Sequence, residues 1–187
     1  MFYMGTNTCA ALAATNIAWL RQALSLVENL DHSTYASSPE GLAPHRVGSH
    51  LRHVLEFYEC FLDGIETLHI DYDARKRDAR IEMSRYAAAD KIRFLIRRLE
   101  HSHFVRQDST VLVRMEDAEN SEWQESYLSS SVSRELQALS SHTIHHFALI
   151  AMTLRLHGFP VDPTFGMAPS TLRYQATLAV AGPSEAA

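Results

Sequence analysis

Residues 133–157 contain no Gly or Pro, and their apolar side chains recur at helical spacing, so the stretch reads as one long helix. At ~100° per residue, Leu139, Leu149, Ile150 and Thr153 fall on the same side as His142 and His146. His145 lies nearer the flank. Two imidazoles a turn apart thus stand in a core-facing stripe, where burial is costly unless something satisfies them. Side chains at this spacing meet on one helix face and can share one metal ion through two nitrogens. The zinc-protease pattern HExxH is not met, because Thr143 stands where its general base would be. The alternative is a pair of packed core histidines, in a chain that carries 11 of them.

Three further helical segments precede this one. The first spans about residues 8–30, with Leu12, Ile17, Leu20, Leu24 and Val27 as its core stripe. Residues 31–41 are rich in turn formers and read as a loop. The second helix covers about 47–69, the third about 87–102, and the fourth 131–157, stopped by Gly158 and Pro160. Between the last two lie residues 104–130. Of these, 109–117 alternate as a short strand does, and 122–130 either pair with it or wrap the helices. The expected fold is all-α: an antiparallel four-helix bundle with a long connection between helices 3 and 4. Residues 1–170 form the single domain and 171–187 a tail. From residue 159 the chain, with Pro160, Pro163 and Pro169, is expected to run extended over the helices rather than form another one, and its last residues to be disordered.

Charge and cysteine usage narrow the function classes. Lys and Arg number 17 against 22 Asp and Glu, and a chain of net charge -5 is poorly suited to bind nucleic acid through its overall field. Cys9 and Cys60 form no CxxC pair, which fits a reducing cytoplasm better than a disulfide framework. No stretch reaches the ~20 apolar residues of a membrane span. Ahead of Arg21 there is no Lys or Arg, and Thr6, Asn7, Thr8, Thr15 and Asn16 interrupt the apolar residues. An Ala-rich helix fits that start better than a signal peptide.

A third ligand has a natural source in the second helix. Arg52, Glu56, Glu59, Asp63 and Glu66 make its polar face, and His50, Phe57, Phe61 and Leu68 centre the opposite one. His53 lies at the border, beside Cys60 and Gly64. Either His50 or His53 could face His142 and His146 across a bundle, a usual place for a metal site. Three histidines and one open position is the catalytic type of zinc site, since structural zinc is normally closed by four protein ligands.

The patterns VGSHLRHVLEFY and SHTIHHFALIA together resemble the DinB-like (DinB/YfiT) superfamily of four-helix bundles, over about residues 10–157. The resemblance implies one divalent metal ion, zinc or nickel, held by a histidine of the second helix and the HxxxH of the last. His142 and His146 match the latter. The family's glycine, then four residues, then His, with an acid three later, is met by Gly48, His53 and Glu56. That selects His53 as the first ligand, with His50 as the alternate that helical phase prefers. Characterised relatives include transferases and isomerases that use a low-molecular-weight thiol, so the resemblance implies a thiol bound to the metal as thiolate, a small-molecule substrate, and pairing as a homodimer. The family's last helix often continues with His-Arg-Gly, whereas His146 is followed by Phe147, Ala148 and Leu149. A substrate contact from that arginine is therefore not implied here, and no residue is singled out as a general acid or base.

Other features carry milder readings. Residues 70–82 alternate acids with Arg75, Lys76, Arg77 and Arg80, either as a solvated connection or as a basic lip for an anionic substrate; the solvated connection is the expectation. Lys91, Arg93, Arg97 and Arg98 give the third helix a basic exposed face. Cys60, two turns past His53, reads as a packed small hydrophobe rather than a fourth ligand. No Glu-x-x-His motif on the fourth helix supports a diiron site. The rival to an enzyme is a non-catalytic bundle that dimerises or binds a partner, with structural histidines.

Overall fold

The computed structural model describes residues 8–103, 108–114 and 127–181, and among these the chain is mostly helical with one small sheet. Four long helices carry the core: α1 (Thr8–Asn29), α3 (Val47–Gly64), α5 (Arg85–His101) and α6 (Val132–Leu156). Short α2 (His32–Ala36) follows α1. The connection from α3 to α5 contains β1 (His69–Asp71) and α4 (Ala79–Met83). Strands β2 (Thr110–Arg114) and β3 (Leu128–Ser131) precede α6, and α7 (Pro169–Ala181) ends the described chain. Among the described residues no helix is long and apolar enough to cross a membrane.

The long helices close a cycle in which α1 and α3 each pack against both α5 and α6. Side-chain pairs give their directions. His50 faces His146 and His53 faces His142, so α3 and α6 run opposite ways. Arg21 meets Glu100 while Glu28 meets Arg93, so α1 and α5 also oppose. But Asn16 bonds Leu136 and Trp19 bonds Ser140, which makes α1 and α6 parallel. Lys91 reaches Glu59 and Arg98 reaches Asp63, so α3 and α5 run the same way too. The all-antiparallel expectation is corrected to up-down-down-up. Its cause is the α3–α5 connection, which is long enough to carry the chain back along α3 before α5 begins.

Asn16, on the core face of α1, is fully buried. Its Nδ2 donates to the carbonyls of Leu12 and Leu136, and its Oδ1 accepts from the Tyr58 hydroxyl, which lies 3.1 Å from Thr143 Oγ1. The core face of α1 therefore centres on Ala13, Asn16, Leu20, Ala23 and Val27, while Leu12, Ile17 and Leu24 of the expected stripe are only partly buried. Small residues face inward because α5 and α6 both press on this side.

Glycine marks both ends of α3. A Cβ on Gly64 would stand 2.4 Å from the His69 carbonyl oxygen, because the chain folds back on the helix end to begin β1. The helix thus stops at Gly64 rather than near His69, and Leu68, expected in the core, is exposed. At the other end, a Cβ on Gly48 would stand 1.9 Å from the Glu82 carbonyl oxygen, so α4 lies directly on the first turn of α3.

The expected solvated segment 70–82 is instead folded structure. It covers the face of α3 that its charges marked as polar, and Glu56 is fully buried there. Glu56 accepts from the Asp78 backbone N–H and pairs with Arg52, while Glu59 pairs with Lys76 and Lys91. The basic face of α5 is also partnered: Arg93 reaches Glu28, and Arg98 reaches Asp63.

β1 pairs with β2 in parallel and β2 with β3 antiparallel, in the order β1-β2-β3. The sheet is a departure from an all-α chain, although β2 falls where alternation marked a strand. Residues 104–107 and 115–126 of the expected strand region lie outside the described residues, as do 182–187 of the expected disordered end. β3 runs straight into α6, whose N-cap Ser131 accepts from the Arg134 N–H. Gly158, at φ +70, ends that helix in the left-handed region.

The extended tail is corrected in its second half. Residues 159–168 are irregular, with Phe165 stacked on Phe147 at 4.7 Å. From Pro169 the chain is helical. Proline at a first helical position loses only an N–H that has no partner there, and the following Leu172, Arg173, Gln175 and Ala176 are good helix formers.

Gly48→Ala should destabilise the fold by roughly 1–3 kcal/mol, since backbone must shift to admit the methyl group. Thermal unfolding followed by circular dichroism should show a Tm lower by roughly 3–10 °C; an unchanged Tm would contradict the close packing of α4 on α3.

Candidate metal centre

His53 projects from the middle of α3, and His142 and His146 from successive turns of α6. Because the two helices oppose each other side by side, the three rings converge. One ring nitrogen from each can be chosen so that all lie within 4.8 Å of one another, a group that could hold a metal ion. Ring centroids are 4.9 Å apart for His53 and His142, 4.6 Å for His53 and His146, and 4.5 Å for His142 and His146. His53 Nε2 and His142 Nε2 are 3.0 Å apart. Zinc–imidazole bonds of ~2.0–2.1 Å in a tetrahedron would hold two nitrogens about 3.3 Å apart, so a few tenths of an ångström of adjustment admits the ion.

His50 lies outside this group. Its Nδ1 is 3.3 Å from His146 Nδ1, so it touches one ring of the group. A partner on the nitrogen not used for the metal fixes the orientation of a ligating imidazole, and His50 would fill that place for an ion held on His146 Nε2. Phe57, one turn past His53 on α3, lies against both His53 and His142 and stacks on Tyr72. Tyr72 in turn donates to Glu135 Oε2, and Ser130 donates to Glu135 Oε1. An aromatic floor pinned to the start of α6 thus supports the cluster.

Arginine can only donate, which fixes the hydrogen bonding of the rings as they stand. Arg75 Nη1 is 2.6 Å from His53 Nδ1, so that nitrogen accepts and Nε2 carries the proton. His53 Nε2–H then donates to His142 Nε2, leaving the proton of His142 on Nδ1. That atom is buried and has no hydrogen-bond partner among the described residues. An unsatisfied buried donor costs about 1–3 kcal/mol, so the three rings do not fully satisfy one another as they stand. Three imidazoles, with no carboxylate or thiolate in the group, suit zinc, nickel, copper or iron.

The rings are poised as neutral ligands. Burial is the main cause of a lowered pKa at each, followed by neighbouring positive charge. His53 is held at about 4, with His146 and Arg75 adding to the effect; His142 also at about 4, with His53 and His145; and His146 at about 3, with His142 and His50. Metal binding at neutral pH therefore displaces no proton from an imidazolium. Cys60 is buried but outside the group, and its thiol is pushed up to about 11, first by burial and then by Glu59 and Asp63.

The sequence pointed to His142, His146, His53 and, as alternate, His50. It placed Phe57 on the apolar face of the second helix and Arg75 in a segment weighed as a basic lip but read as solvated, and it assigned neither of them, nor Tyr72, to the histidine group. Phe57, four residues after His53, carried a signal as an aromatic on the same face. Arg75 carried none beyond its place in a charged segment.

No family model matches this chain, and no solved structure does. Among curated proteins, FK506-binding protein 5 of Rhizopus delemar is 34% identical over 105 residues, which is 56% of this chain and 27% of that protein. The chain spans about a quarter of the length of the curated relative it matches.

The lowered histidine pKa values set the acid behaviour of the metal-free fold. In the unfolded chain these rings protonate near ~6.5. The unfolded state therefore gains protons first as the pH falls, and stability is lost from about 6.5 down to about 4. Chelator-treated protein should show a Tm that drops through that window, with a shallower drop in His142→Ala. A Tm that is flat there would contradict burial of neutral rings.

Proposed function

We propose that this chain is a four-helix bundle of the DinB-like type that holds one divalent ion, zinc or nickel, on His53, His142 and His146. We further infer a metal-dependent enzyme, of the thiol-dependent transferase or isomerase type, acting on a small-molecule substrate. The observation that carries the reading is the convergence of three neutral imidazoles from two opposed helices into one group within 4.8 Å. The closed cycle of α1, α5, α3 and α6 supports the bundle. Two buried, unpaired cysteines are consistent with a reducing cytoplasm.

Three protein ligands with an open position are the catalytic type of zinc centre, whereas a structural site is closed by a fourth. Cys60, the fourth ligand considered on α3, stands outside the group as a protonated thiol. An ion held on the three nitrogens supplies Lewis acidity and lowers the pKa of a water or thiol bound to it. The protein's own contribution is orientation: His50 at Nδ1 of His146, and the Phe57–Tyr72 stack against His53 and His142. The name of the Rhizopus delemar relative comes from a protein of which this chain covers 27%, and the histidine group offers no argument for that ligand, so the name stays with that protein.

Metal analysis by mass spectrometry tests the reading. Purified protein reconstituted with zinc or nickel should hold about one ion per chain. The His142→Ala/His146→Ala variant, folded by circular dichroism, should hold none. An unloaded protein after reconstitution, or a variant that keeps its metal, would overturn the proposal.

A further inference from the structure

Four basic residues stand between β1 and α4 or at the start of α4, and their surroundings differ. Lys76 pairs with Glu59, Arg80 pairs with Asp78, and Arg77 is exposed. Arg75 is half-buried, lies 5.3 Å from the Phe57 ring centre, and makes no ion pair with a carboxylate among the described residues. Its Nε is buried without a hydrogen-bond partner among the described residues. Its polar contact among the described residues is His53 Nδ1.

The segment that carries Arg75 is tied down on both sides. Asp71 accepts from the N–H groups of Asp73 and Ala74, and the Asp78 N–H donates to buried Glu56. The backbone thus holds this guanidinium at the histidine group, leaving only the side chain to move.

Arg75 and an ion cannot both use His53 as it stands. An ion on His53 Nε2 takes the lone pair there, so the neutral ring carries its proton on Nδ1. Nδ1–H and the guanidinium N–H are then two donors facing each other, and the guanidinium must turn off the ring. The ring stays neutral throughout; only the place of its proton differs. Arg75 is then a half-buried cation against Phe57, beside a divalent ion with three uncharged ligands. Among the described residues no carboxylate pairs with Arg75, and none belongs to the histidine group.

Resting on the metal reading above, we propose that Arg75 is the anion-recognition residue of this centre, and that its substrate class is small carboxylates. The guanidinium fork matches a carboxylate bidentately, and partial burial strengthens the pair. The displaced donor and the orphaned Nε supply the N–H groups for that grip, while another donor atom of the same molecule faces the three-histidine group. Loading of the ion and recognition of the acid are thereby coupled through one side chain.

Cobalt(II) substitution gives a spectroscopic test that needs no turnover. Wild type and Arg75→Met are loaded with cobalt(II), and its visible absorption is followed while malonate or neutral imidazole is added. Arg75→Met should take up cobalt at least as well as wild type, since the competing donor to His53 is gone. Its affinity for malonate should fall about tenfold or more, and its affinity for imidazole should be unchanged. Equal malonate affinities in the two proteins would overturn the proposal, as would a parallel loss of both probes, which would make Arg75 a structural prop for the segment. Failure of both proteins to take up cobalt would overturn the metal reading itself, and this inference with it.

Discussion

The buried contact among Asn16, Tyr58 and Thr143 joins α1, α3 and α6 at one level of the core, and the site depends on it. Tyr58 stands five residues beyond His53 on α3, and Thr143 immediately follows His142 on α6. A buried polar network tolerates little sliding, because each displaced partner leaves an unsatisfied group worth about 1–3 kcal/mol. The network therefore fixes how far along α6 the helix α3 lies. That register brings His53 opposite His142 and His50 against His146 Nδ1. A shift by one turn would separate the rings and leave each to be satisfied alone in a partly apolar setting.

Around this register the charged surface of α3 is turned to use. Glu56 is buried under the connecting segment, where it binds the Asp78 N–H and Arg52. Gly48 leaves room for α4 to rest on the first turn of the same helix. The glycine, histidine and acid of one short motif thus serve one end. The glycine seats α4, the acid anchors the segment, and the segment delivers Arg75 to the histidine between them.

Much of α6 was legible because local signals agree there: a serine cap, an unbroken helical pattern, and a glycine and proline at the end. The histidine pair followed from the same periodicity. For α3 the two local criteria diverged: helical phase favoured His50, while the glycine–histidine–acid spacing favoured His53. The structure sets His53 in the group because a helix touched by both α6 and the covering segment presents its border, not its apolar centre, to the gap between them. What could not be read locally was long-range. The charges of Glu56 and Glu59 marked a solvent face, and only the folded segment with Lys76, together with Lys91 of α5, converts it to a buried one. The parallel runs of α1 with α6 and of α3 with α5 depend on the route of a connection, which side-chain periodicity does not encode. In the tail, three prolines masked a helix that begins at the last of them.

X-ray absorption at the metal edge of the zinc- or nickel-loaded protein tests the central claim most directly. The account predicts three imidazole nitrogens at ~2.0–2.1 Å and a further light atom that exchanges with added ligands. A sulfur scatterer at ~2.3 Å, or a fourth imidazole, would mean that Cys60 or His50 closes the site, and would contradict an open three-histidine centre.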